Sequence, residues 1–255
     1  MDDSPKAPAG EALAELAQIM ARLRDPSTGC EWDRVQTFET IAPYTIEEAY
    51  EVDDAIRRGD MGSLKDELGD LQLQVVYHAR IAEERGAFDL GDVITAIAAK
   101  MVRRHPHIFG DASASPGWET LKAAEREADA DPSALAGVAL ALPALKRAEK
   151  VQRRAARVGF DWPDSEGPRL KIDEELSEIE RAESDEERAA EIGDLLFAVV
   201  NYARHLGVNT ETALREATAR FEQRFRKVEE LANKPLNEMD IDGLEALWQQ
   251  AKKLV

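Results

Sequence analysis

Apolar residues recur every three or four positions along most of this chain, the spacing of helices that bury one face. The first such segment, residues 11–24, places Leu13, Leu16 and Leu23 on one side. The long alternation of polar and apolar residues that is typical of strands does not occur in the sequence. The pattern therefore predicts an all-α fold. Further helices are predicted over residues 63–85, 142–158 and 210–231, and others to begin near Thr45 and Asp89. The acidic stretches around Glu175 and Glu191 are also predicted to be helical. Residues Cys30 to Asp33 are predicted to form a loop.

Two neighbouring predicted helices carry paired carboxylates. Glu48 and Glu51 share a helix face, and Glu67 and Asp70 share a face of the next helix. The short connection over residues 57–62 contains two glycines and favours an antiparallel hairpin, so the four carboxylates converge. Their repulsion is offset by protonation or by a hard divalent cation such as Mg²⁺. With 51 acidic residues in the chain, a solvated helix face is the alternative interpretation of each pair.

The acidic pattern occurs twice, in the same order, with offsets that change only in the loops. Trp32 and Trp162 differ by 130 positions. Such a duplication favours a functional site over chance acidic pairs, and it predicts two similar halves. The matched carboxylates are Glu48 with Glu175 and Glu51 with Glu178, at an offset of 127, and Glu67 with Glu191 and Asp70 with Asp194, at an offset of 124.

Basic and aromatic residues also repeat downstream of the acids. Each half has two cations four residues apart on a predicted helix and a Trp-x-x-x-Lys motif. Cations beside a metal suit a polyphosphate, and tryptophan offers a stacking surface to a nucleoside triphosphate. Surface solubility and simple packing are the alternative interpretations. The candidates are Lys100 with Arg104, Arg220 with Arg224, Trp118 with Lys122, and Trp248 with Lys252.

The two halves define the predicted domains. Residues 1–10 are predicted to be disordered, residues 11–110 to form a first helical domain and residues 138–255 a second. Between them, residues 111–137 are rich in Ala, Ser, Pro, Gly and Asp, which is typical of a linker, with a short helix predicted from Trp118 to Glu127.

Composition narrows the choice of partners and compartment. A formal net charge of −18 argues against a nucleic-acid partner, because phosphate backbones bind to an excess of Lys and Arg. No apolar run reaches the length of a membrane span, and the first ten residues lack the features of a signal peptide. The single cysteine, Cys30, is interpreted as structural, and a cytoplasmic protein is expected. His105 and His107 have no counterpart in the second half and are interpreted as a loop feature.

These motifs resemble the MazG family of nucleoside triphosphate pyrophosphohydrolases. The resemblance rests on E-E-x-x-E followed by E-x-x-D in each half, and on the flanking G-C-E-W-D, R-R-H-P-H-I-F and V-G-F-D-W. It implies two tandem all-α helical bundles and a homodimer that completes the site. It also implies hydrolysis of NTPs and dNTPs to the monophosphate and pyrophosphate, with Mg²⁺ or Mn²⁺, broad base specificity and a role in cleaning the nucleotide pool.

The resemblance also implies a role for each motif residue. The second half is expected to be catalytic, and the first to be catalytic or a nucleotide-binding, dimer-forming partner. The residue before the third carboxylate of the motif is Asp66 in the first half and Ala190 in the second. Family members often carry an acid at this position, so the second half departs from the family pattern there. Glu47 and Glu174 are implied to orient or deprotonate the attacking water, and the basic and aromatic pairs to bind substrate. The implied metal ligands are Glu48, Glu51, Glu67, Asp70, Glu175, Glu178, Glu191 and Asp194.

Two other functions fit the same residues. One is a selective hydrolase acting on dUTP, dCTP or phosphoribosyl-ATP, since base selection depends on the shape of a pocket. The other is a non-catalytic helical dimerisation or regulatory module with solvated acidic faces, which would show no metal dependence.

Overall fold

The computed structural model describes residues 8–111 and 131–255. All regular secondary structure in these ranges is helical, and the chain divides into two compact units, residues 1–123 and 124–255. The predicted all-α fold with two helical units is confirmed, whereas the exact domain limits remain predictions. Within the described ranges, no helix is long and apolar enough to cross a membrane. Residues 1–7, most of the predicted linker, Trp118 and Lys122 lie outside the described residues.

The first unit packs around apolar residues contributed by three helices. Met20, Ile41, Val76, Tyr77 and Ile81 form its buried centre. Each side chain repeats at helical spacing on its own element, so the sequence pattern leads directly to this core. The helices of the unit are α1 (Ala9–Leu23), α2 (Glu31–Val35), α3 (Phe38–Arg58), α4 (Met61–Glu84), α5 (Leu90–Arg104) and α6 (Pro106–Phe109).

The hairpin of α3 and α4 has the predicted antiparallel arrangement. Gly59 ends α3 with a φ of 66°, a left-handed conformation that favours glycine, and the Asp60 side chain then caps α4. Across the pair, Thr45 Oγ1 lies 2.9 Å from His78 Nε2, and Gln74 Nε2 donates to Glu48 at 3.4 Å.

Two local predictions in the first unit were wrong. Helix α3 begins at Phe38 rather than near Thr45, because Thr37 and Thr40 form a capping box and Ile41 belongs to the core. Thr45 therefore lies inside the helix, where its hydroxyl contacts His78 instead of capping. The segment after Cys30, predicted as a loop, contains the one-turn helix α2.

The second unit repeats the acidic hairpin and adds a terminal helix that the sequence analysis did not predict. Its two hairpin helices, Glu166–Arg181 and Asp185–His205, are joined by residues 182–184, and Ser184 caps the second of them through a capping box with Glu187. Residues 131–137, part of the predicted linker, contact the unit through a hydrogen bond from Arg154 to the Ala136 carbonyl at 3.0 Å. The helices are α7 (Ala144–Arg157), α8 (Glu166–Arg181), α9 (Asp185–His205), α10 (Thr210–Leu231) and α11 (Ile241–Leu254).

A buried guanidinium joins three helices of the first unit. Arg24, which is 7% exposed, follows the end of α1 and donates to Glu84 on α4 at 2.7 Å. It also donates to the Asp33 carbonyl in α2 at 2.6 Å, an oxygen that accepts the Tyr77 hydroxyl as well. These hydrogen bonds with Arg24 lower the pKa of Glu84.

We expect Arg24→Met to lower the opening free energy of α4 amides by about 3 kcal/mol at pH 7, because Glu84 and a backbone carbonyl lose their donor. Since the folded pKa of Glu84 is lowered, this contribution is complete above its unfolded pKa of about 4.3 and is lost as pH falls through the folded pKa. Native-state hydrogen exchange measures the change. Arg58→Met, which breaks an exposed pair with Asp54, is the control and should cost less than about 0.5 kcal/mol. Equal losses in the two variants would contradict the prediction.

Candidate active site

The α3–α4 hairpin brings the predicted carboxylates of the first unit together. Glu48, Glu67 and Asp70 each offer an oxygen, and these oxygens lie within 4.8 Å of one another. Glu51 lies close enough to raise the pKa of Glu48 and of Glu67, after the larger effect of burial. The four side chains therefore converge, as the sequence predicts, while their role as metal ligands remains a prediction.

The α8–α9 hairpin builds the corresponding cluster in the second unit. Glu175, Glu178 and Glu191 offer oxygens within 4.8 Å of one another, and Glu175 is only 3% exposed. Burial raises the pKa of Glu191, and repulsion from Glu178, Glu175 and Asp194 raises it further. The fourth predicted residue, Asp194, is therefore part of the same electrostatic cluster.

Both clusters have the chemistry of a hard-cation site. Their donors are carboxylate oxygens, the ligands that Mg²⁺ and Mn²⁺ prefer. Burial and then repulsion between the negative charges raise the pKa of Glu48 and of Glu191. A divalent cation would relieve this repulsion without protonation. The side chains present therefore fit the metal that the sequence predicts.

The two predicted water-activating residues differ in their surroundings. Glu47 is exposed on α3, next to the cluster residue Glu48. Glu174 is exposed on α8 and accepts a hydrogen bond from Lys171 Nζ at 2.9 Å.

Lys171 is a charged residue of the second site that the sequence analysis missed. Its Nζ lies 2.8 Å from Glu175 and 2.9 Å from Glu174, and these contacts raise its pKa. The signal was present in the sequence, because a lysine four residues before a helical glutamate pairs with it. At the offset of 127, the first unit has Tyr44 at this position, so the cation belongs to the second site alone.

The structure places the predicted substrate-binding cations on helices that follow each acidic hairpin. Lys100 and Arg104 lie one turn apart on α5, and Arg220 and Arg224 lie one turn apart on α10. Among the described residues, Arg224 Nε is buried without an acceptor. On α11, Lys252 lies one turn after Trp248, whose ring lies 5.3 Å from that of Phe221 on α10. The contact of these residues with substrate remains a prediction.

A cavity of about 840 Å³ opens beside the second acidic cluster. Its walls include Glu175 and Asp194 from the cluster, Lys171 beside them, and Gln152 from α7. In the first unit, the corresponding space between α1, Trp32 and α4 measures only about 160 Å³. Only the larger cavity falls within the range of small-molecule sites, roughly 300–1,000 Å³.

At two matched positions, the first unit has the larger side chain. At the offset of 124, Tyr77 corresponds to Asn201 and Gln74 to Ala198. In the first unit, the Tyr77 hydroxyl donates to Asp33 and Gln74 extends toward Glu48, so these side chains occupy the space. The smaller Asn201 and Ala198 leave it open in the second unit.

An ion pair holds the loop that forms one side of the large cavity. Both Nη atoms of Arg204 on α9 donate to the Asp161 carboxylate, and His205 Nε2 lies 3.1 Å from it. Arg204 is the main cause of the lowering of the Asp161 pKa to about 2. The loop therefore stays anchored to α9 at neutral pH, with Phe160 and Trp162 lining the cavity.

Known proteins resemble this chain over nearly its whole length. Residues 36–109 match the MazG nucleotide pyrophosphohydrolase domain. A nucleoside triphosphate pyrophosphohydrolase of Escherichia coli strain K12 is 49% identical over 256 residues, covering 94% of this chain and 97% of the relative. The nucleoside triphosphate pyrophosphohydrolase/pyrophosphatase MazG of Thermotoga maritima is 48% identical over 252 residues, covering 96% and 97%. A nucleoside triphosphate pyrophosphohydrolase of Mycolicibacterium smegmatis is 36% identical over 164 residues, covering 62% and 50%.

The likeness to the Escherichia coli and Thermotoga proteins includes both helical units and both acidic hairpins, so it concerns the whole architecture and not one motif. This chain belongs to the MazG nucleotide pyrophosphohydrolase family.

Proposed function

We propose that this protein is a nucleoside triphosphate pyrophosphohydrolase that converts NTPs and dNTPs, with broad base specificity, to the monophosphate and pyrophosphate. The main support for this proposal is that, in the second unit, an acidic cluster that fits Mg²⁺ or Mn²⁺ adjoins a cavity of about 840 Å³. The activity named for the similar Escherichia coli and Thermotoga proteins supports the proposal. A role in cleaning the cytoplasmic nucleotide pool fits such an activity.

The reaction uses one water molecule and breaks one phosphoanhydride bond, between the α- and β-phosphates. Glu175, Glu178, Glu191 and Asp194 would hold the cation, which supplies charge neutralisation of the phosphates and a lowered pKa for water. Glu174, at the edge of the cluster, accepts a proton from the attacking water or orients it.

Cations of the second unit bind the phosphates. Lys171 already pairs with two carboxylates of the site, and the phosphate oxygens take over part of its hydrogen bonding when substrate enters. Arg220 and Arg224 add two charges on one face of α10, and the buried Nε of Arg224 lacks an acceptor among the described residues. Trp248 and Lys252 contribute from α11.

The second unit is the catalytic one in this proposal. Its cavity is open and Lys171 lies beside its acids, whereas Tyr77 and Gln74 occupy the space in the first unit. The first unit retains Glu48, Glu51, Glu67 and Asp70, which suit a structural or regulatory cation, with Lys100 and Arg104 nearby in sequence.

A homodimer accounts for apolar surface that the helices of the second unit leave exposed. Ile192, Leu196 and Val199 share a face of α9, and Phe221 and Phe225 share a face of α10; all five are at least 40% exposed. Exposed apolar helix faces of this kind are typical of an association site, and a second copy of the chain is the partner expected for this family.

We expect Glu175→Gln to lower kcat by about 100-fold, because it removes a buried ligand of the catalytic cation, while Glu48→Gln lowers it less than about threefold. Turnover of each common NTP and dNTP, with pyrophosphate assayed separately from orthophosphate and with Mg²⁺ or chelator, measures both effects. The reverse ranking would place catalysis in the first unit. Hydrolysis of one nucleotide only would favour the selective enzyme, and no turnover would favour the non-catalytic module.

We expect Glu191→Gln to raise the melting temperature at pH 7 in chelator and to remove roughly half or more of the stabilisation by Mg²⁺. The pKa of Glu191 is higher in the folded protein than in the unfolded chain, where it is about 4.3. The charge of Glu191 therefore begins to destabilise the fold as pH rises above about 4.3, and the effect is complete above the folded pKa. The gain in chelator should therefore disappear below about pH 4. Calorimetry measures both quantities. The control is Glu180→Gln, an exposed acid of α8 outside the cluster, and an equal effect there would contradict the prediction.

We expect the purified protein to have twice the chain mass of 28.3 kDa by light scattering, and Leu196→Glu to shift it to the monomer, because the charge cannot be buried in an apolar interface. Leu140→Glu, which alters an exposed leucine outside the helices, is the matched control and should leave the mass unchanged. A monomeric unmodified protein would exclude the dimer.

A further inference from the structure

One residue that lines the large cavity has a buried acceptor without a partner among the described residues. Gln152 on α7 is 6% exposed, and its Nε2 donates to the Phe197 carbonyl on α9 at 2.8 Å. This bond determines the orientation of the amide, because a carbonyl can accept only from the NH₂ end. Within the described part of the chain, Gln152 Oε1 has no hydrogen-bond partner. A buried acceptor without a donor costs about 1–3 kcal/mol, so a ligand with an N–H group would relieve that penalty.

The neighbouring polar groups do not supply that donor, since no described residue donates a hydrogen bond to Gln152 Oε1. Lys171 pairs with Glu174 and Glu175. Asn201 Oδ1 accepts from Arg204 Nε at 3.1 Å, and Arg204 is also bound to Asp161. The rest of the wall near Gln152 is apolar, with Val151, Ala155, Pro168, Phe197 and Ala198.

The cavity also offers aromatic surface at its loop side. Phe160 is 83% exposed and Trp162 is about half exposed, although both line the cavity. The position of Trp162 requires glycine at position 167, since a Cβ there would lie 2.5 Å from the indole ring. Exposed rings beside an apolar wall suit a flat ligand that stacks.

We infer that this cavity binds the nucleobase of the substrate, and that Gln152 Oε1 accepts a hydrogen bond from an N–H group on the edge of the base. The inference rests on the proposed function and assigns a position to the part of the nucleotide that does not react. Adenine, guanine, cytosine, uracil and thymine all carry an N–H group on the Watson–Crick edge. A single acceptor therefore binds every common base and selects none, which is the structural basis for broad specificity.

The first unit provides an internal comparison. Gln74 Oε1 is also buried there without a partner in the part of the chain that the structure describes. However, the adjoining space of about 160 Å³ is too small for a nucleotide and large enough for water. The side chains of Tyr77 and Gln74 stand where Asn201 and Ala198 leave room in the second unit. Base binding therefore belongs to the second unit alone.

The test compares ATP with purine riboside triphosphate, which lacks the amino group of adenine and has no other N–H on that ring edge. For the unmodified enzyme with Mg²⁺, we expect kcat/KM to be about tenfold higher for ATP, the value of one hydrogen bond to a buried acceptor. Gln152→Met keeps the volume and removes the acceptor, so the ratio should fall to within about twofold of unity. Gln18→Met, the same exchange on the exposed surface of α1, should keep the tenfold ratio.

An unchanged ratio in Gln152→Met would overturn the inference while leaving the proposed function intact. If the unmodified protein hydrolyses neither nucleotide, the proposed function fails instead, and calorimetric binding of AMP and purine riboside monophosphate in chelator tests the cavity separately. The same tenfold preference, lost in Gln152→Met, would support the inference; no preference would overturn it.

A second variant tests the cavity without altering Gln152. Ala198→Gln introduces the first-unit residue and fills part of the space, so we expect KM for ATP to rise by about tenfold or more. The melting-temperature shift caused by Mg²⁺ should stay the same, since the carboxylate cluster is not altered. An unchanged KM in a folded variant would overturn the assignment of the base to this cavity.

Discussion

Repulsion between carboxylates is the constraint on which both units depend. Each hairpin holds at least three acidic oxygens within 4.8 Å of one another, and the pKa values of Glu48, Glu67 and Glu191 rise as a result of burial and like charge. Such a cluster persists only where the helices that carry it are fixed by other contacts. Tight connections, side-chain caps at Asp60 and Ser184, and packing along the length of each hairpin provide that rigidity. A divalent cation would therefore meet ligands that need little rearrangement.

The two units build different interiors on the same scaffold. In the first, Arg24, Glu84 and Tyr77 form a network that joins α1, α2 and α4 and fills the space behind the acids. In the second, Asn201 and Ala198 leave that space open, and the Asp161–Arg204 pair holds a loop at its edge. The same backbone arrangement thus carries a packed core in one unit and an open cavity in the other. Smaller side chains at these two matched positions contribute to the difference.

Periodicity and duplication predicted more of the architecture than individual residues did. The helix over 210–231 and the convergence of the acidic pairs follow from spacing alone, and the structure confirms them. The start of α3 was wrong because the Thr37–Thr40 capping box and the burial of Ile41 favour an earlier turn. Helix α11 was not predicted, although Leu244, Leu247 and Ala251 recur at helical spacing. In the structure Asp240 caps this helix, and Trp248 packs on Phe221.

The sequence by itself determined the helical fold, the two-unit organisation and the carboxylates that converge, because residues three or four apart share a helix face whatever lies around them. Only the tertiary structure decided which unit has an open cavity and that Gln152 Oε1 has no partner among the described residues. These properties depend on distances between side chains of different helices and on the volume between them. Neither quantity is encoded in local spacing, so they become visible only when the helices are packed.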